Sequence, residues 1–476
     1  MDKEKSKMAR ASIGYLIGNY CIKGIGFITV PIFARLLTTY DFGTYNTFLS
    51  YEAILYLFIE FALHESLKNA KYKFDNKLDE YTSSVLLLPI FSCLFFSIIA
   101  FIFRNQLAIL LNLDYSLILL LVIYSFCSGV LIYYRYRIAL DYKYKEYLFI
   151  SGFNVIVNIG LSIFLILTVF KECGYLGRII GGTTSIVILT SYIIIKLFKN
   201  AKPKINKSYL LYGLKIGLPL IPHGLSQIIL LQFDRIMISQ FTNNSDVGLY
   251  SFAYTIYTIM QITGTSLQTS YEPWAFKQLN NGCDGKNNLR RISTCYMIIL
   301  GGLSTVTMLL CPEIIRILGG EKYQSSIYCA IPILLSGFFA MSYGIPSVIE
   351  YYKEKTIYVA IATIFAAICN CVLNAVFIPT YGYIAAAYTT LVSYVLYFII
   401  HLFLSRKLSG FNVLYMKYLC LIIIILCISF IVSLLMVDYF FIRLLLVALF
   451  TFLGLNMLVK VYGKKIDVKK FLKKEY

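Results

Sequence analysis

Charge is scarce in this chain. Only 14% of its 476 residues are Asp, Glu, Lys or Arg and 59% are hydrophobic, whereas a soluble globule is about a quarter charged and about half apolar. A water-soluble domain is therefore excluded, and the sequence reads as an integral membrane protein. Acidic residues are scarcer than basic ones, 24 against 43, and the formal net charge is +19. The basic residues lie scattered in short loops, so there is no basic domain of a size to hold nucleic acid. There are three histidines, and none of the 12 cysteines stands in a C-x-x-C or Cys/His cluster. Neither a metal site nor a disulfide framework is implied, and the cysteines read as small buried hydrophobes. No nucleophile triad, paired-carboxylate site or phosphate loop is present, so neither an enzyme nor a cofactor is expected. Long loops are missing too, which leaves no room for a separate soluble domain and confines function to the helices and their mouths. The basic stretch Met1 to Arg10 resembles a signal peptide, but the apolar run from Ala11 to Leu37 is too long for one and reads as an uncleaved first span.

What is present in quantity is apolar runs of membrane length. Fourteen spans are expected, near 11–36, 44–63, 82–103, 115–139, 147–169, 174–197, 208–236, 247–271, 292–317, 326–350, 356–378, 382–404, 414–436 and 439–460. Of the 43 Lys and Arg, 33 fall on the side of the two termini and seven on the other. By the positive-inside rule both termini are cytoplasmic. Spans thirteen and fourteen, the most uniformly apolar, are expected at the lipid-facing periphery.

The seventh span restarts the fold. With a shift of 200 residues, Lys23-Gly24 falls on His223-Gly224, Phe33 on Phe233 and Arg35 on Arg235, and after five inserted residues Asp41-Phe-Gly-Thr-Tyr45 falls on Asp246-Val-Gly-Leu-Tyr250. The first and seventh spans run in the same direction, so the repeats are parallel, six spans plus six, as in transporters whose pathway lies between halves. The expected domains are an N-terminal lobe (1–200), a C-terminal lobe (201–410) and two extra helices with a basic tail (411–476). Pro31, Pro89, Pro219, Pro222, Pro332 and Pro346 lie within spans, and the Pro219/Pro222 pair, flanked by glycines, marks the seventh span as the expected bent helix.

Charges within spans are costly and by default mark a pathway. Lys23 stands twelve residues from Arg35, roughly 18 Å along a helix, which places it near mid-bilayer, and His223 stands at the equivalent depth in the second half. Snorkelling is the rival reading for Lys23, and a core histidine bonded to a carbonyl is the rival for His223. Lys215 either snorkels or lines the inner mouth. Arg35 and Arg235 end their helices, where they grip an anion or cap carbonyls; Asp234 beside Arg235 is a gating candidate. Glu52 is the deepest carboxylate and the best proton or sodium site, while Glu60, Glu272 and Glu350 read as ordinary interfacial charges. The Tyr133-Tyr134-Arg135-Tyr136-Arg137 cluster is either an interfacial belt or a platform for sugar rings.

The pattern of Lys23, Pro31-Ile-Phe-Ala-Arg35-Leu-Leu and Tyr40-Asp-Phe-Gly43-Thr-Tyr45, with the restart ending in Asp234-Arg235 and Asp246-Val-Gly-Leu-Tyr250, resembles the Wzx-type polysaccharide repeat-unit flippases. These are members of the superfamily that also contains MATE exporters and lipid II flippases. The resemblance implies an all-helical fold of two MATE-like six-helix lobes plus two C-terminal helices. It also implies transfer of an undecaprenyl-pyrophosphate-linked oligosaccharide across a bacterial inner membrane by alternating access. The anionic substrate would meet Lys23, Lys215, His223, Arg35 and Arg235. Polysaccharide polymerase and chain-length proteins are the partners such a role implies. A MATE-type multidrug or cation antiporter is the alternative, disfavoured because the midspan charges are mostly cationic.

Overall fold

The computed structural model describes residues 14, 18, 24, 25 and 29–463. Among the described residues every regular element is a helix, as expected where no water is available to satisfy a free strand edge. Ten helices among the described residues are long and apolar enough to cross a membrane, or eleven if the bent pair Thr39–Glu60 and Leu63–Lys73 forms one span. The two spans expected at 356–378 and 382–404 lie in Thr356–Ser409, 54 residues that form two helices joined across a kink at Gly382 (φ 68°, ψ −161°). Unbroken, 54 residues would reach roughly 80 Å, far beyond a hydrocarbon core of ~30 Å, so the break divides two spans. The expected 247–271 span falls within Asn244–Leu279, whose Thr, Ser, Gln and Tyr content keeps it outside the strongly apolar group. Most of the expected first span lies outside the described residues.

The chain forms two compact units, Met1–Gly248 and Leu249–Tyr476. In the first, Thr39–Glu60 packs on Tyr115–Ala139 and on Ile221–Phe241, and Tyr144–Thr168 pairs with Gly174–Asn200. That last pair is close because Gly181 admits the Ser162 backbone, which a Cβ would meet at 2.7 Å; small residues drive such crossings where lipid removes the hydrophobic incentive. In the second, Gly282–Leu309 packs against Ile327–Ser342, Met416–Leu435 and Phe440–Tyr462. The last two helices expose Ile424, Ile431, Leu435, Leu445 and Phe452 on their outer faces, a composition suited to acyl chains. Arg443 of the last helix is fully buried and bidentate to Glu313 (2.5 and 2.7 Å), with further bonds to the carbonyls of Leu309, Met436 and Val437.

Both copies of the D-x-G-x-Y motif begin a helix, and the structure gives each letter a task. Asp41 completes a capping box with Thr38, and Asp246 accepts from Asn243 while its N–H donates to Asn243 Oδ1; each closes orphan helix donors. The glycines meet. A Cβ on Gly43 would lie 1.6 Å from the Asn244 carbonyl oxygen, and one on Gly248 2.0 Å from that of Thr39. Beside this crossing, the Asn244 amide oxygen accepts from Thr47 (3.1 Å) and Ser239 (2.8 Å), and Asn112 donates to the Ser239 carbonyl.

The bend expected at the paired prolines is mild. Pro219 falls in a 3-10 turn, Leu218–Leu220, between Lys207–Gly217 and Ile221–Phe241. The large bend, 57°, comes instead between Thr39–Glu60 and Leu63–Lys73, where Phe61 (φ 56°) and Ala62 (φ 50°) are both left-handed. Neither is Pro or Gly. Two features hold the strained pair: Gly217 packs on the Phe61 carbonyl, which a Cβ would meet at 2.2 Å, and Glu60 reaches across the break to accept the His64 N–H at 2.7 Å.

Candidate functional site

Lys23, the deepest predicted cation, lies outside the described residues. Arg35, Lys215 and His223 are exposed side chains of the first unit. Arg235 is buried and donates to the Leu231 carbonyl (3.0 Å) and to Gln232 Oε1 (2.7 Å), and Asp234 beside it is fully buried. Glu52 is half-buried and hydrogen-bonded to Ser128. It begins a polar line, since Glu52, Tyr56 and Glu60 succeed one another at four-residue spacing on one face of their helix. That face turns to Tyr115–Ala139, where Gly129 gives Glu60 room: a Cβ there would lie 2.9 Å from that of Glu60.

Glu60 and Glu350 are not interfacial charges. Both are fully buried, and each is paired with a histidine that sequence reasoning passed over. His64 Nδ1 lies 2.8 Å from Glu60 Oε2, and the His64 ring meets Tyr136 edge-on while Tyr136 and Lys68 both donate to Glu65. In the second unit His401 Nδ1 lies 2.7 Å from Glu350 Oε1 with both side chains inaccessible, walled by the rings of Tyr343 and Tyr397. Removing one partner of such a pair would leave a buried polar group exposed to nothing but protein. The Glu60-x-x-x-His64 spacing was a legible signal; Glu350 and His401, 51 residues apart, offered none.

The tyrosine-arginine cluster is largely absorbed by packing. Tyr133 is fully buried and donates to the Thr82 carbonyl, Tyr134 donates to Glu146, which also pairs with Lys196, and Arg137 bridges Asp79 (2.7 Å) and Asp141 (2.6 Å). Asp141 lies in the connection between helices. Burial pushes its carboxyl up, but the hydrogen bond from Arg137 with the charges of Arg137, Lys143 and Lys71 outweighs that and holds it below the ordinary aspartate range. Such an arrangement ties helices together and leaves little open platform for sugar rings. Arg178, which the sequence did not single out, stacks on Phe33 and on Tyr45 of the first motif and bonds to Asn158 and Ser162.

Several cavities lie among the described residues of the second unit. One of ≈ 270 Å³ is lined by Gln268, Glu272, Tyr343, Gly344, Ser347 and Tyr351 among others, with Gln268 donating to both Glu272 (2.6 Å) and the Gly344 carbonyl. A larger one, ≈ 750 Å³, has Tyr271, Trp274, Arg291, Tyr296, Ile299 and Tyr462 in its wall. Buried between the two segments of the Thr356–Ser409 helix is a further polar chain: Asn374 donates to Asn370, Asn370 to Thr390 and Thr389 to Asn374.

The fold defines the class. The protein is similar to the lipid II flippase MurJ in its inward closed conformation, with a TM-score of 0.73 at 17% identity over 94% of this chain and 99% of that one. It is similar also to an inward-facing multidrug resistance MATE transporter of the MOP superfamily, with a TM-score of 0.60 at 13% identity over 80% and 94%. At these identities what is shared is the fold. In sequence it resembles an uncharacterized membrane protein of Methanocaldococcus jannaschii (22% identity over 466 aligned positions, 88% of each chain) and another of Haemophilus influenzae (22% over 362, 72% of this chain and 83% of that one). The profile of the polysaccharide biosynthesis protein family matches residues 8–277, more than half of the chain, and the chain belongs to that family.

Proposed function

We propose that this protein is a flippase that moves an undecaprenyl-pyrophosphate-linked oligosaccharide repeat unit from the cytoplasmic to the outer leaflet of a bacterial inner membrane, for assembly of a surface polysaccharide such as O-antigen or capsule. The observation that carries this reading is membership of the polysaccharide biosynthesis family on a fold shared with a lipid II flippase. Physical chemistry sets the task. A pyrophosphate and several sugars cannot cross hydrocarbon unaided, whereas a prenyl tail can remain in it, so the protein has to supply a polar route to the head group only. In this reading Lys23, Arg35, Lys215, His223 and Arg235 attract the anion, and Glu52 and Asp234 serve gating or ion coupling. Alternating access between two lobes, 1–200 and 201–410, reopens the site outward, biased by differential binding or an ion gradient. Both termini face the cytoplasm, and the polymerase and chain-length proteins act on what emerges.

The test is deletion of the gene. Lipid-linked repeat units should accumulate on the cytoplasmic leaflet and the surface polymer should disappear, with drug tolerance unchanged. Normal polymer with lowered tolerance to cationic dyes would replace this reading with a MATE-type exporter.

A further inference from the structure

We propose that the ≈ 750 Å³ cavity walled by Asn244–Leu279, Gly282–Leu309 and the end of Phe440–Tyr462 binds an anionic membrane phospholipid, with its phosphate on Arg291. The site requires only that the chain resides in a membrane and is independent of what it transports.

The argument begins with the one charge in the wall. Among the described residues that line the cavity only Arg291 is ionised, and none is a carboxylate. Its Nε is buried without a hydrogen-bond partner among the described residues, while one terminal nitrogen makes a 3.3 Å bond to Asn288 and the guanidinium lies 5.4 Å from the Tyr462 ring. A guanidinium presents five donors in a fixed fork, and a phosphate is the anion whose oxygens match that fork in pairs. The neighbouring Arg290 offers no such vacancy, because its Nε donates to the Asn412 carbonyl and its plane lies near Phe411 and Tyr415.

The rest of the wall suits an amphiphile. Gln278 and Asn288 supply polar contacts beside the arginine, and Leu267, Ile292 and Ile299 line the remainder. Tyr271 and Tyr296 direct their hydroxyls away to Ser293 and the Gly264 carbonyl, so their rings act as apolar walls. Trp274, the sole tryptophan of the chain, lies in the same wall, and tryptophan and tyrosine favour the depth of lipid head groups. Lys277, Lys286, Arg290 and Arg291 fall at the helix ends that the charge bias assigns to the cytoplasm, whose leaflet is the anionic one. One cation matches one phosphodiester charge, and a volume of this size takes a head group and glycerol with the acyl chains continuing past Ile299, which is 44% exposed.

The experiment uses the full chain, purified in a neutral detergent and placed in nanodiscs of phosphatidylcholine with or without phosphatidylglycerol. Bound lipid is counted by native mass spectrometry and stability followed by thermal unfolding. The wild type should retain one phosphatidylglycerol about tenfold or more in preference to phosphatidylcholine and unfold at a higher temperature with it. Arg291→Gln should abolish the preference, Arg291→Lys should keep part of it by retaining the cation without the fork, and Lys286→Gln, outside the cavity, should leave it intact. Ile299→Trp tests the apolar end independently of charge, and it should exclude the lipid. Equal retention of the two lipids by wild type, or a preference that survives Arg291→Gln, would refute the site. Displacement of the lipid by millimolar inorganic phosphate would instead identify a free-anion site and overturn the phospholipid assignment.

Discussion

Replacing Gly43 by alanine tests the packing role assigned to the repeated motif. The added methyl would lie 1.6 Å from the Asn244 carbonyl oxygen and 2.8 Å from the Gly248 nitrogen, both backbone atoms that cannot rotate away. The two helices would have to part by roughly 1.5–2 Å, and overpacking of this kind costs about 1–3 kcal/mol. Parting them also stretches the 3.1 Å bond from Thr47 to Asn244 beyond hydrogen-bonding range, and a buried group so orphaned costs a further ~1–3 kcal/mol. Against this stands the better helix propensity of alanine, worth about 1 kcal/mol. The net expectation is a loss of about 1–5 kcal/mol, read as a lowered midpoint in thermal unfolding of the purified protein. Gly248→Ala, whose methyl would lie 2.0 Å from the Thr39 carbonyl oxygen, should behave alike. Gly302→Ala is the control: among the described residues nothing stands within 4 Å of its Cβ, so it should be neutral or slightly stabilising. If Gly43→Ala unfolds like the wild type, or Gly302→Ala is equally harmed, the close crossing is not what the glycine serves.

Four other outcomes are expected. Arg443→Met should destabilise by about 3–5 kcal/mol, because it leaves Glu313 and three carbonyls without their donor; restored stability in the double variant Arg443→Met, Glu313→Leu would attribute the loss to the unpaired carboxylate. In a flipping assay on reconstituted vesicles Lys23→Arg should keep part of the activity, Lys23→Gln lose most and Lys23→Glu nearly all, provided each reaches the membrane; a fully active Lys23→Glu would remove this residue from the pathway. With native cysteines removed, a cysteine at Lys171 should react with an impermeant reagent from outside and one at Lys202 should not, and the reverse pattern would overturn the charge-based topology. The Asp141 carboxyl, held below its ordinary value of 3.8, contributes stability at and above that pH and loses it as pH falls through the folded value; Asp141→Asn should therefore unfold earlier at neutral pH and show a shallower acid limb below about pH 4.

The candidate site was legible in part. An i, i+4 Glu-His pair at 60 and 64 can be read from spacing alone, yet its burial depends on Gly129 of another helix admitting the Glu60 stem. Glu350 and His401 meet only because Gly344–Tyr352 packs along the distal part of Thr356–Ser409, a contact no local pattern encodes. The prolines misdirected the search for the bend: a 3-10 turn absorbs Pro219, while the 57° bend at Phe61-Ala62 is imposed by partners from outside the segment and carries no sequence punctuation.

The sequence by itself determined the class of solvent, the run of helices and the repeat, because these follow from composition, from run length against a fixed bilayer thickness and from self-similarity along one dimension. The same one-dimensional reading recognised D-x-G-x-Y as a repeated mark. Only the tertiary structure decided what the mark does, since the atoms that forbid a side chain on Gly43 belong to residues 244 and 248. It likewise separated Arg290, engaged by Asn412, from Arg291, whose Nε has no partner among the described residues. Two adjacent arginines are equivalent in a sequence, and they differ in the fold because a helix turns about 100° per residue and presents each to a different neighbour.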